Sequence, residues 1–113
     1  MGDCCSFIAE LIIGESPLYR ASRDGDAGKV TRLLKERVDV NKPGSEGYTP
    51  LCIASSRGHV EVVKLLSGIE ADANKANDNG ETPLFIALYN GDVEVVKVLA
   101  ESGADINSAN EKG

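Results

Sequence analysis

The stretch GYTPLCIASSRGH (Gly47–His59) decides how this chain is read, because altered copies of it occur twice more. GESPLYRASRDGD begins at Gly14 and GETPLFIALYNGD at Gly80, each 33 residues from the central copy. Pro17, Pro50 and Pro83 keep that spacing, as do Ala21, Ala54 and Ala87, and Gly25, Gly58 and Gly91. The closing segments keep step too: VDVN, ADAN and ADIN end at Asn41, Asn74 and Asn107. A fixed period of this size marks a repeat architecture. The chain therefore divides into units 14–46, 47–79 and 80–112. An apolar segment, 1–13, precedes them, and Gly113 falls where a fourth unit would begin.

Each unit carries its own punctuation. Ser16, Thr49 and Thr82 stand directly before a Pro, the order of a helix N-cap followed by a first helical residue that needs no N–H. A helix of about two turns should follow and stop at the Gly of DGD, RGH or NGD, where the chain needs a left-handed residue. A second helix is expected through KVTRLLKE, VEVVKLL and VEVVKVLAE, whose apolar residues recur at helical spacing, as Val62, Val63, Leu65 and Leu66 do. The pattern N-x-x-x-x-x-G then closes each unit with turn-forming residues, consistent with a hairpin-like connection. One such unit cannot bury its own apolar face, but stacked neighbours bury a continuous one. The composition agrees: with two Phe, three Tyr and no Trp, small aliphatic side chains must do the packing. The expectation is an all-α repeat solenoid of helix–turn–helix units, stacked side by side, with projecting turns.

The T-P-L-x-x-A block, the helix of G-H-V-E-V-V-K-L-L and the A-D-x-N ending resemble ankyrin repeats, and the resemblance runs from Gly14 to Gly113. The sequence departs from the family's pattern at two places. The family's His after Leu is Tyr19, Cys52 or Phe85 here, so the helix-start hydrogen bonds that His gives are open to question. The Gly that usually ends the second helix survives as Gly103 but is Arg37 and Glu70 in the other copies. Those helix ends should be less comfortable, since a side chain disfavours the left-handed turn.

The resemblance implies protein recognition, with contacts drawn from the projecting turns and the exposed side of the first helix. Position by position, the turn candidates are Glu15, then Ser45, Glu46 and Tyr48, then Asp78, Asn79 and Glu81. The helix candidates are Arg23 and Asp24, Ser56 and Arg57, and Tyr89 and Asn90. These positions vary between copies while the framework does not. Tyr48, Tyr89 and Arg57 are the preferred anchors, because aromatic and Arg side chains dominate interface energetics. The acidic turns suit a partner protein with a basic surface, mainly by steering. An adaptor or scaffold, an inhibitor that occludes a partner enzyme, and a lipid-anchored adaptor all fit this pattern.

The ends of the array differ. Arg20, Lys29 and Arg32 stand where later copies have Ile53 and Ile86, Val62 and Val95, Leu65 and Val98. Three apolar positions turned cationic suit a capping unit whose outer side meets water. The last unit shows no such change, since Val93, Val96, Leu99 and Ile106 stay apolar. Its outer face is expected to meet further repeats or another molecule.

Catalysis is not expected. The single His59 occupies a helix start, where Asp26 and Asp92 stand in the other copies, and Cys52 lies inside a repeat helix. Cys4, Cys5 and His59 lack the spacing of a zinc site. The glycines follow the repeat period and form no phosphate loop. No cofactor is implied. Surface carboxylates are expected to pair along helices, Glu61 with Lys64 and Glu94 with Lys97. A net charge of -6 argues against nucleic acid, whose phosphates would be repelled. The one basic stretch, KVTRLLKER, reads as a solvated helix face.

Three cysteines, two of them adjacent, give no disulfide framework, which fits an intracellular, cytoplasmic protein, with the nucleus or a membrane surface as alternatives. No apolar run is long enough to span a bilayer. Met1-Gly2 with Ser6 matches an acylation pattern, and Cys4 or Cys5 would supply the second chain that stable anchoring needs. Asp3 directly after the Gly weighs against that reading. The other reading packs Phe7, Ile8, Leu11 and Ile12 on the first repeat as one face of a short helix.

Overall fold

The computed structural model describes residues 15–68 and 73–102. Its helices run in pairs: α1 (Pro17–Asp24) with α2 (Ala27–Leu34), α3 (Pro50–Arg57) with α4 (Val60–Ser67), and α5 (Pro83–Asn90) with α6 (Val93–Glu101). Among the described residues there is no strand. The segment 1–13, with Gly2, Cys4 and Cys5, lies outside the described residues, as do Glu70, Gly103, Ile106 and Gly113.

The local reasons for each pair match the sequence reading. Ser16, Thr49 and Thr82 are extended N-caps whose hydroxyls accept the backbone N–H of Tyr19, Cys52 and Phe85 at 3.2, 3.1 and 3.2 Å. Those hydroxyls supply the helix-start bonds, so the residue after Leu is free for other work. Gly25, Gly58 and Gly91 stop the first helices at φ of 76°, 71° and 71°, a region where a Cβ costs about 1–2 kcal/mol. Asp26 and Asp92 cap the second helices by accepting from Lys29 N and Val95 N. Arg37, which stands in place of the family's Gly, does take the left-handed conformation at φ 59°.

Stacking follows the period. α1 packs on α3 and α3 on α5, while α2 packs on α4 and α4 on α6. One continuous core results, with Leu18, Leu51 and Leu84 from the first helices and Leu33, Leu66 and Leu99 from the second. Equivalent positions show which way each side chain faces. Val62 and Val95 are buried while Lys29, their counterpart in the first unit, is exposed, so this position faces the preceding repeat. Val30 and Val63 are buried while Val96 is half-buried, so the next position faces the following repeat. Ser22 and Ser55 also face forward and are fully buried, whereas their counterpart Leu88 is 50% exposed.

The repeats also lock together through polar residues. His59 makes no side-chain cap for α4; its imidazole lies against Gly25, and its Nε2 donates to the carbonyl of Arg23 at 2.9 Å. Asp92 lies against Gly58 in the same way one unit later, and nothing lies within 4 Å of where a Cβ on Gly91 would be. The expected pairs Glu61–Lys64 and Glu94–Lys97 do not form; the ion pairs among the described residues centre on Arg23. All four side chains lie in solvent, where such pairing gains too little to hold two long side chains in place.

Candidate functional site

The connections between units project as turns. In the first, Gly44 N donates to Tyr48 O at 2.8 Å; in the second, Asn77 N donates to Glu81 O at 3.0 Å. These two bonds occupy equivalent positions and close each turn like a hairpin. The tips are joined as well, since Asp78 N donates to Glu46 O at 3.0 Å. This junction requires Gly47: its φ is 75°, and a Cβ there would sit 2.8 Å from the backbone nitrogen of Asp78. Next to it Glu46 is held at φ 56°. The tips of successive repeats thus form a row and carry Glu46, Asp78 and Asn79 into solvent.

At the first repeat, the candidate residues are turned toward one another. Glu15, expected on an open turn, is only 9% exposed; it accepts from Ser45 Oγ at 2.8 Å and from Arg23 Nη1 at 3.3 Å. Arg23 in turn reaches Asp24 through Nε at 3.3 Å. Glu15, Ser45, Arg23 and Asp24 therefore satisfy each other, and only Asp24 stands well into solvent. Tyr19, behind them, is buried with its ring over Gly44.

At the second and third repeats the surface opens. A groove of about 200 Å³ runs between the turn and the first helices, walled by Tyr48, Ser56, Glu81, Phe85, Ile86, Tyr89 and Asn90. Tyr89 is 82% exposed, and its ring centroid lies 6.2 Å from that of Phe85. Asn90 is tied back by Nδ2 to the carbonyl of Ser56 at 3.2 Å. Glu81 is held by Asn77, whose Nδ2 donates to Glu81 Oε1 at 3.0 Å. Asn77 itself is nearly buried, and its Oδ1 accepts the backbone N–H groups of Asn79 and Glu81. Burial pushes the Tyr48 hydroxyl above its ordinary range, and the carboxylates of Glu81 and Glu46 push it further. The groove is therefore aromatic, partly desolvated and negative in potential. Among the described residues, Glu46, Asp78 and Glu81 take part in no ion pair. Arg57 is exposed at the end of α3.

Phe85 and Ile86 wall this groove and Asn77 holds its Glu81, and sequence reasoning did not select them as site residues. For Asn77 the period gives no special mark, because Asn recurs at position 110 and the first unit's Gly44 is the exception. Phe85 was visible only as a replacement for the family's His. The chemistry elsewhere is spent on structure. Cys52 is fully buried, burial pushes its thiol up, and its Sγ donates to Lys75 O at 3.4 Å. Among the described residues, no three of His, Cys, Asp and Glu converge as a metal site, and no helix is long and apolar enough to cross a membrane.

Comparison with known proteins agrees with this geometry. A model of ankyrin repeats, three copies, matches residues 7–110. No curated protein matches the chain. Such repeats are generally non-catalytic modules that bind other proteins. The 33-residue period, the capped helix pairs, the joined turns and the family match agree: the chain belongs to the ankyrin-repeat family.

Proposed function

We propose that this chain is an intracellular adaptor or scaffold module that binds a second protein through the turns and first helices of its second and third repeats. The observation that carries this reading is Tyr89, a large aromatic side chain 82% exposed at the edge of a groove it shares with Tyr48. Exposed aromatics beside a depression are typical anchors of protein interfaces. The first repeat contributes less, because its polar candidates are already satisfied by one another. A partner with a basic surface suits the acidic row of Glu46, Asp78 and Glu81.

Affinity capture from native cells tests this, with the wild type beside a Tyr48→Ala/Tyr89→Ala variant whose thermal unfolding is checked. Loss of a specific partner from the variant is expected; equal recovery by both overturns the assignment of the face. Tyr89→Ala alone, on an exposed side chain, serves if the double variant unfolds. The same face also suits an inhibitor, and assaying the captured partner's activity with and without this chain separates the two. The N-terminal pattern also leaves a lipid-anchored variant of the adaptor as the alternative that Asp3 weighs against. Intact mass of the native protein decides that point: added acyl mass at Gly2 and at Cys4 or Cys5 supports the anchor, and an unmodified N-terminus removes it.

A further inference from the structure

We propose that the groove between the second and third repeats is a subsite for one arginine side chain of the partner; the proposal rests on the reading of this face as a protein-binding surface. Size comes first. At about 200 Å³ the groove is smaller than the roughly 300–1,000 Å³ of small-molecule sites, and it suits one long side chain. Its walls supply what a guanidinium needs. Tyr48, Phe85 and Tyr89 line it with aromatic rings, and a planar cation stacks on such rings. Glu81 offers charge, and it is aimed: Asn77 holds Oε1, which leaves Oε2 to accept. Asn77 is itself fixed by two backbone N–H groups, so the carboxylate is positioned before anything binds. Asn90 has committed its Nδ2 to Ser56 O, which leaves its Oδ1 as a second acceptor. No wall of the groove carries a cation. An anion would meet Glu81 and the tip carboxylates. An apolar side chain would cover Glu81 and Asn90 without satisfying them. Lysine would bring charge without the planar fork that pairs with a carboxylate and stacks on a ring at once.

The test is an NMR titration of the full chain with Nα-acetyl-arginine amide, with the matching citrulline amide as an uncharged isostere and the lysine amide as a cation without the guanidinium plane. Saturable shifts are expected at the amides of Tyr48, Glu81, Phe85 and Tyr89, with millimolar affinity for the arginine probe. Citrulline, which keeps the shape and loses the charge, should bind at least tenfold more weakly, and lysine several-fold more weakly. Glu81→Gln keeps the acceptor that Asn77 needs and should cost about tenfold. Tyr89→Ala should weaken binding without changing the melting temperature. Equal binding of arginine and citrulline overturns the proposal, as do equal binding of lysine or shifts that never saturate and spread over other carboxylates. If partner capture depends on Tyr89 while the arginine probe leaves the groove untouched, the subsite fails and the adaptor reading stands. If the probe saturates the groove while partner capture ignores Tyr89, the assignment to a partner's arginine fails.

Discussion

The two ends of the stack are built from equivalent positions and present opposite surfaces. On the first repeat, the side facing away from its neighbour carries Lys29 and Arg32 in solvent and Arg20 half-buried. On the third, the outward side carries Leu88 at 50% exposure, Val93 at 65% and Val96 half-buried. The backward-facing positions turn cationic at the first unit. The forward-facing positions stay apolar at the third unit and become more so, since Leu88 stands where Ser22 and Ser55 are buried. Cations on an outer face fit a cap that meets water. An apolar outer face fits a surface that receives something, whether another repeat or another molecule.

Paired substitutions break or sharpen this contrast. The largest difference is expected between Gly25→Ala and Gly91→Ala. Both glycines are left-handed, at φ 76° and 71°, so both variants lose about 1–2 kcal/mol to the backbone. Only at Gly25 does the added methyl meet a neighbour, the His59 ring at 2.7 Å, whereas nothing lies near Gly91. Gly25→Ala should therefore cost about 1–3 kcal/mol more in denaturant unfolding. Equal losses would mean that His59 does not pack on the first repeat as described.

Next comes Val63→Ala against Val96→Ala. The interior residue is fully buried between repeats, so its loss should cost about 2 kcal/mol, while the half-buried end residue should cost about 1 kcal/mol or less. Ser55→Ala has the opposite sign. Its hydroxyl is buried without a hydrogen-bond partner, so removing it should raise stability by about 1 kcal/mol. The smallest effect is expected from Leu88→Ser, which should change unfolding by less than about 0.5 kcal/mol. That variant should bind less of a dye that reports apolar surface. Unchanged dye binding would count against an open apolar face.

Much of this contrast was legible in the sequence, and the reason is periodicity. The Thr-Pro caps, the stopping glycines and the 33-residue spacing are local signals that need no knowledge of the neighbour. The cationic end could be read by aligning Arg20, Lys29 and Arg32 with their later copies. What escaped depends on how one unit sits on the next. Glu15 looked like an open turn residue, yet Ser45 and Arg23 enclose it from thirty and eight residues away. His59 does stand at a helix start, as its position indicated, but its side-chain bond to Arg23 in the preceding repeat was not legible. The groove itself needs Tyr48, Glu81 and Tyr89 to converge from two repeats, and no spacing within one unit announces that. The pairs Glu61–Lys64 and Glu94–Lys97 failed for a simpler reason, because spacing permits an exposed ion pair without making it worth forming.

The central claim is that one face of the stack, the groove of the second and third repeats, receives another protein. Site-specific photo-crosslinking in native cells tests it most directly, with the crosslinker placed at position 89 in one variant and at position 97, exposed on α6, in another. The account predicts one discrete adduct from position 89, absent or much weaker from position 97. A discrete adduct from position 97 with none from position 89 would contradict it.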